Sequence, residues 1–222
     1  MTARRTRDNR AVALVLTAAL GTGAWMLYDG SQTRHPPQPS PSDAFAAAPA
    51  QSGGQIPGTP STAPPAPPLP ASVPVRIKIP SIKVDAPVTL LNLDKTGQLQ
   101  VPDDNNRNLA GWYQGGPAPG AAGNAIMDGH VDTEQGPAVF YNLGSLHKGN
   151  TVEVDRKDGT AALFSIDAIE VYEKNAFPSS RVYGATKDAQ LRLITCGGGY
   201  SKDTGYLGNV VLYAHLTGSK HV

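Results

Sequence analysis

Disulfide chemistry is excluded at the outset, because the 222 residues contain one cysteine, Cys196, which has no partner within the chain. A strong charge of either sign is missing too: 19 Lys and Arg against 18 Asp and Glu leave +1. The first ten residues carry Arg4, Arg5, Arg7 and Arg10 against Asp8, so everything after them sums to −2. No basic face remains to neutralise phosphates, and a nucleic-acid partner is not expected. The five histidines are scattered and the lone cysteine offers no zinc spacing, so no metal and no cofactor is expected either. No segment shows a helical period over three turns.

What the chain does have begins with a stretch without charge. Residues 1–10 form a basic tail, and 11–28 hold no charged side chain, a run just long enough to cross a hydrocarbon core of about 20 helical residues. The basic flank predicts a cytoplasmic N-terminus, a single-pass anchor in the cell membrane and an extracellular remainder. A cleaved signal peptide shares the charged start; the length of the apolar run and the lack of a clean small-x-small site favour the anchor. From 29 to 73 the composition turns to Pro, Ala, Ser, Gly and Gln, which predicts a disordered spacer with no binding role.

Residues 74–222 are the size of one domain. Short alternating or β-branched runs recur along it, among them VRIKI, VTLLNL, NAIMDGH, TVEVD, ALFSIDAIEVYE, LRLITC and NVVLYAHL, separated by Gly, Pro, Asn and Asp. This spacing predicts an all-β barrel or sandwich. AVFYNLGSL, 138–146, is the one place where a short helix is expected.

Two readings of Cys196 stand on local grounds: a small buried hydrophobe, or a nucleophile that needs a nearby base or cation. In LRLITC, alternation places Leu191, Leu193 and Thr195 on one face and Arg192, Ile194 and Cys196 on the other. Gly197, Gly198 and Gly199 follow, and they permit unusual backbone angles and exposed N–H groups. Among the histidines, His35 lies in the spacer and His221 beside the C-terminus, while His147 and His215 remain candidates. His130 stands apart: it closes GNAIMDGH, between Asp128 and Asp132, where a carboxylate would favour a protonated imidazole.

In that order, RIKIPSIKVDAPV, PGAAGNAIMDGH, LRLITCGG and a final strand NVVLYA resemble the sortases, membrane-anchored cysteine transpeptidases of Gram-positive bacteria, with the class E and F subgroup nearest. The resemblance covers most of 74–216. It implies a closed β-barrel of about eight strands with short helices. It also implies a mechanism in which Cys196 attacks the carbonyl after the Thr of a Leu-Pro-x-Thr-Gly-like sorting signal while His130 donates a proton to the departing amine. The resulting thioester is released by an amine, such as a peptidoglycan precursor or a pilin lysine, and a surface protein is thereby attached to wall or pilus. Ile194 and Thr195 fall in the stretch expected to touch the substrate.

The family's arginine on the last strand is missing from this chain. YLGNVVLYA places Leu207 and Asn209 near its position; Asn209 can donate a hydrogen bond but brings no charge. Arg192, on the face of Cys196, is the expected substitute. Two rival readings stay open: a non-catalytic barrel that binds cell-wall peptides, and an L,D-transpeptidase-type enzyme, whose usual Ser-x-Gly-Cys context Ile194-Thr195-Cys196 does not match.

Overall fold

The computed structural model describes residues 35–45 and 64–222. The expected basic tail and membrane segment, 1–28, lie outside the described residues, as does most of the spacer. Among the described residues no helix is long and apolar enough to cross a membrane.

The alternating runs become strands because each can bury every second side chain in a common interior. They are β1 (Pro74–Ile79), β2 (Val84–Leu91), β3 (Ala110–Tyr113), β4 (Gly123–Gly129), the short β5 (Asp132–Thr133) and β6 (Gly136–Pro137), β7 (Thr151–Arg156), β8 (Thr160–Glu173), β9 (Ala189–Ser201) and β10 (Gly205–His221). Eight of them close a barrel in the order β1-β2-β3-β4-β9-β10-β8-β7, as the sequence predicts; β5 and β6 form a separate hairpin. The pairings β2/β3 and β4/β9 are parallel, and the other pairs in the barrel are antiparallel.

Inside lie Ile77, Ile79, Met127, Phe164, Ile166, Leu191, Leu193 and Leu212, all essentially without solvent contact. The opposite faces of β4, β9 and β10 carry a second apolar cluster of Ile126, Ile194, Val211 and Tyr213. It is covered by Val182 of a five-residue helix, α1 (Ser179–Tyr183). This outer cluster is why the barrel wall has a functional outer face: apolar side chains on both sides of β4 and β9 demand a cover, and the cover leaves a groove. At 138–146, where a helix is expected, only a 3₁₀ turn forms at Leu143–Ser145.

The described parts of the spacer depart from the expectation of a free, non-binding chain. Asp43 is buried, accepting from the Lys148 backbone N–H at 3.0 Å and pairing with His147 Nδ1 at 2.8 Å. Phe45 packs edge-on against Tyr213, with the Arg181 guanidinium 4.5 Å from its ring centre. Residues 64–73 are tied down by Ala66 N–H to Leu216 O and Leu69 N–H to Gly120 O, both 2.8 Å. Buried Arg156 adds a bond to Pro70 O at 2.7 Å. A proline-rich segment has little ordering entropy left to lose, so a few such contacts suffice to hold it.

Candidate active site

The parallel pairing of β4 with β9 sets the site. Gly123 faces Ala189 and Asp128 faces Ile194 in unbroken register. Just past that ladder the Thr195 hydroxyl donates to the Gly129 carbonyl at 2.7 Å, so the contact between the two strands runs out immediately before His130 and Cys196. Adjacent strands lie about 4.8 Å apart, so the imidazole and the thiol leave neighbouring backbones at the same barrel end. Across β9 on the other side, Asn209 of β10 is the direct partner of Cys196. Cys196 and Asn209 are thus direct ladder partners, and His130 follows the end of β4 at the same end of the barrel.

The histidine is positioned by the loop between β2 and β3, whose Pro102 carbonyl lies 2.8 Å from Nε2. A carbonyl only accepts, so Nε2 carries the hydrogen and Nδ1 is the nitrogen left for chemistry. Further along, Asp132 accepts from the Tyr206 hydroxyl of β10, which fastens the β9–β10 hairpin to the segment that follows His130. Strand β9 does not stop at Cys196 but runs on to Ser201, through Gly198 and Gly199 at φ 75° and 92°. Those angles are the left-handed region, and a side chain at Gly208 opposite would strike the Tyr172 carbonyl.

Cys196 reaches solvent, yet the protein packed around it pushes its thiol above the ordinary value. Lys174 opposes this shift, and the carboxylates of Asp128 and Asp132 add to it. The thiol form therefore dominates at neutral pH. Lys174, just past β8, was not found from the sequence; among the described residues its ammonium has neither hydrogen bond nor ion pair.

A groove of about 870 Å³ lies against the outer cluster and ends at Asn209 and Ile194. Its walls include Leu99, Val101, Tyr113, Pro117, Phe177 and Tyr183, and its charged side chains are Asp128 and Lys174. Ile194 and Asn209, expected to touch substrate, line it; Thr195 instead points inward, buried on Gly129. Arg192 is on the same face as Cys196 but four residues away, about 13 Å along the strand. Its guanidinium bonds Gln190 and the Leu191 carbonyl and lies 4.4 Å from the Tyr213 ring centre, and burial brings it down to about 10. The structure does not bring Arg192 to the thiol. His147 is engaged with Asp43, and His215, in the middle of β10, pairs with Asp167 at 2.6 Å. Among the described residues no group of His, Cys, Asp and Glu is gathered to hold a metal.

Known structures share this architecture. Sortase A of Listeria monocytogenes superimposes with a TM-score of 0.51 at 19% identity, over 68% of this chain and 91% of its own. The SrtA sortase of Actinomyces oris gives 0.51 at 17% identity, over 72% and 89%. At such identities the likeness speaks for the fold. No curated protein sequence matches the chain. The sequence model of the Sortase domain, however, matches residues 77–217, more than half of the chain and all of the strands that bear the site. The chain thus belongs to the sortases, a family of cysteine transpeptidases.

Proposed function

We propose that the protein cleaves a Leu-Pro-x-Thr-Gly-like sorting signal through a thioester on Cys196 and transfers the acyl group to an amine on the cell wall or a pilus. The observation that supports this most is the register of β4 on β9, which brings the strand leading into His130 alongside the strand that carries Cys196, with Ile194 and Asn209 at the same barrel end lining an apolar groove. With the peptide in the groove, the Cys196 thiolate adds to the scissile carbonyl, and the tetrahedral oxyanion collapses as the peptide amine leaves with a proton from Nδ1 of His130. An incoming amine then attacks the thioester and gives its proton back to His130, and the thiolate departs. The products are a new amide and the starting enzyme. Asn209 is placed to donate a hydrogen bond to the acyl oxygen, a weaker aid than a guanidinium fork. The raised thiol pKa means that only a minor ionised population is reactive at neutral pH, so the acylation step should speed up as pH rises.

Localisation follows as part of this proposal: residues 11–28 as a membrane anchor with the barrel outside. A second reading, a weakly active or non-catalytic peptide-binding barrel, draws on the neutral Asn209 facing Cys196. Intact mass after incubation with a Leu-Pro-x-Thr-Gly-type peptide library and an amine separates the two. An acyl adduct or amine-capped product with wild type, absent from Cys196→Ala, is expected; peptide binding without any adduct would favour the second.

A further inference from the structure

Asp128 is the groove's unexplained residue. It sits on the outer face of β4 opposite Ile194, two residues before His130 and Cys196 on their respective strands. Two residues of strand separate it from that level, about 7 Å. Its neighbours in the groove are Ile126, Ile194, Tyr183 and Asn124, and among the described residues its carboxylate makes no hydrogen bond or ion pair. Burial alone raises it to about 7, so no cation offsets its charge; Lys174 shares the groove but acts on the thiol instead. A carboxylate in such a place is costly unless a ligand supplies the missing partner. A satisfied core network is not the explanation, because there is no network.

We propose that Asp128 is a specificity residue that selects peptides carrying a basic side chain, Lys or Arg, on one of the residues just N-terminal to the bond that Cys196 attacks. The proposal rests on the transpeptidase reading above. An extended peptide advances about 3.3 Å per residue, so a side chain one to three residues before the scissile bond spans the 7 Å from thiol to carboxylate. A cation there gains a charge-assisted bond with a partly buried carboxylate, whereas an apolar side chain displaces water from it and supplies no partner.

The test uses the full chain and peptide sets identical except for Lys, Leu or Glu at each of the three positions before the scissile bond, with acylation of Cys196 followed by mass. At one position the Lys peptide should exceed the Leu peptide at least tenfold in kcat/KM. Asp128→Asn should collapse that ratio, and Asp128→Lys should turn the preference toward Glu, while cooperative thermal unfolding followed by circular dichroism reports that each variant is folded. Equal rates for Lys and Leu at all three positions, or a preference that survives Asp128→Asn, overturns the assignment of Asp128 and leaves the transpeptidase reading standing. If no peptide acylates a thiol that iodoacetamide still modifies, both fall together.

Discussion

Replacing Asp128 by asparagine should make stability less dependent on pH, by an amount the structure bounds. The carboxyl is held up to about 7 by burial, against 3.8 when unburied, a gap of about three units. Each unit corresponds to 1.36 kcal/mol, so ionising Asp128 within the fold costs the native state at most about 4 kcal/mol. Part of the residue borders the open groove, which places the observed value below that bound. Because the folded value is the higher one, the native state holds the extra proton between about pH 4 and 7, and stability falls as pH rises through that window before levelling off. Asparagine has the same shape and does not titrate. Urea unfolding at steps from pH 4.5 to 8.5 should show the two proteins nearly equal at the acid end and Asp128→Asn ahead by about 2–4 kcal/mol at the alkaline end. A difference constant across the range, or one that shrinks toward alkaline pH, would refute the argument that burial of an uncompensated carboxylate sets the shift.

Three further outcomes follow from the site. Iodoacetamide should alkylate Cys196 with a midpoint above the ordinary thiol value of about 8.5; Lys174→Met should raise it further and Asp132→Asn lower it, and midpoints that do not move would remove both charges from the account. Asn209→Ala should slow thioester formation on the order of 100-fold while alkylation by the small reagent is unchanged, and equal acylation rates would take Asn209 out of the oxyanion role. Arg192→Met should leave turnover within a few-fold and instead alter thermal stability, since its guanidinium is spent on Gln190 and Tyr213; a large loss of turnover without loss of stability would return it to the site.

The barrel was legible because its strands are alternating or continuously apolar, β-branched runs bounded by Gly, Pro, Asn and Asp, and both are local properties. Strand β3 was not, since AGWY is four residues long and Gly111 is required by contact with Leu91, which no pattern in AGWY announces. His130 and Cys196 could be picked out because each follows an apolar run in the sequence and borders on glycine. Their adjacency is a matter of register between strands 66 residues apart, which only the family resemblance supplied. Arg192 illustrates the limit: sharing a face with Cys196 was read correctly, but a face extends along the whole strand, and four residues put the guanidinium under Tyr213. Lys174 comes from the turn after β8 and Tyr206 from β10, and nothing within their own segments marks them. The spacer misled for a compositional reason, because a proline-rich stretch reads as unable to fold, while docking on an existing surface requires only a few anchors such as Asp43 and Phe45.

Those anchors also give the chain a mechanical character. They lie in series along 36–45, so tension applied from the N-terminal side loads Asp43 on His147, then Phe45 on Tyr213 and Arg181, one after another. Contacts loaded in turn peel at low force, whereas the β-ladders behind them share a load and shear together. The strap is thus a fuse: the contacts along 36–45 would give way one by one before the strands that carry Cys196 felt the pull.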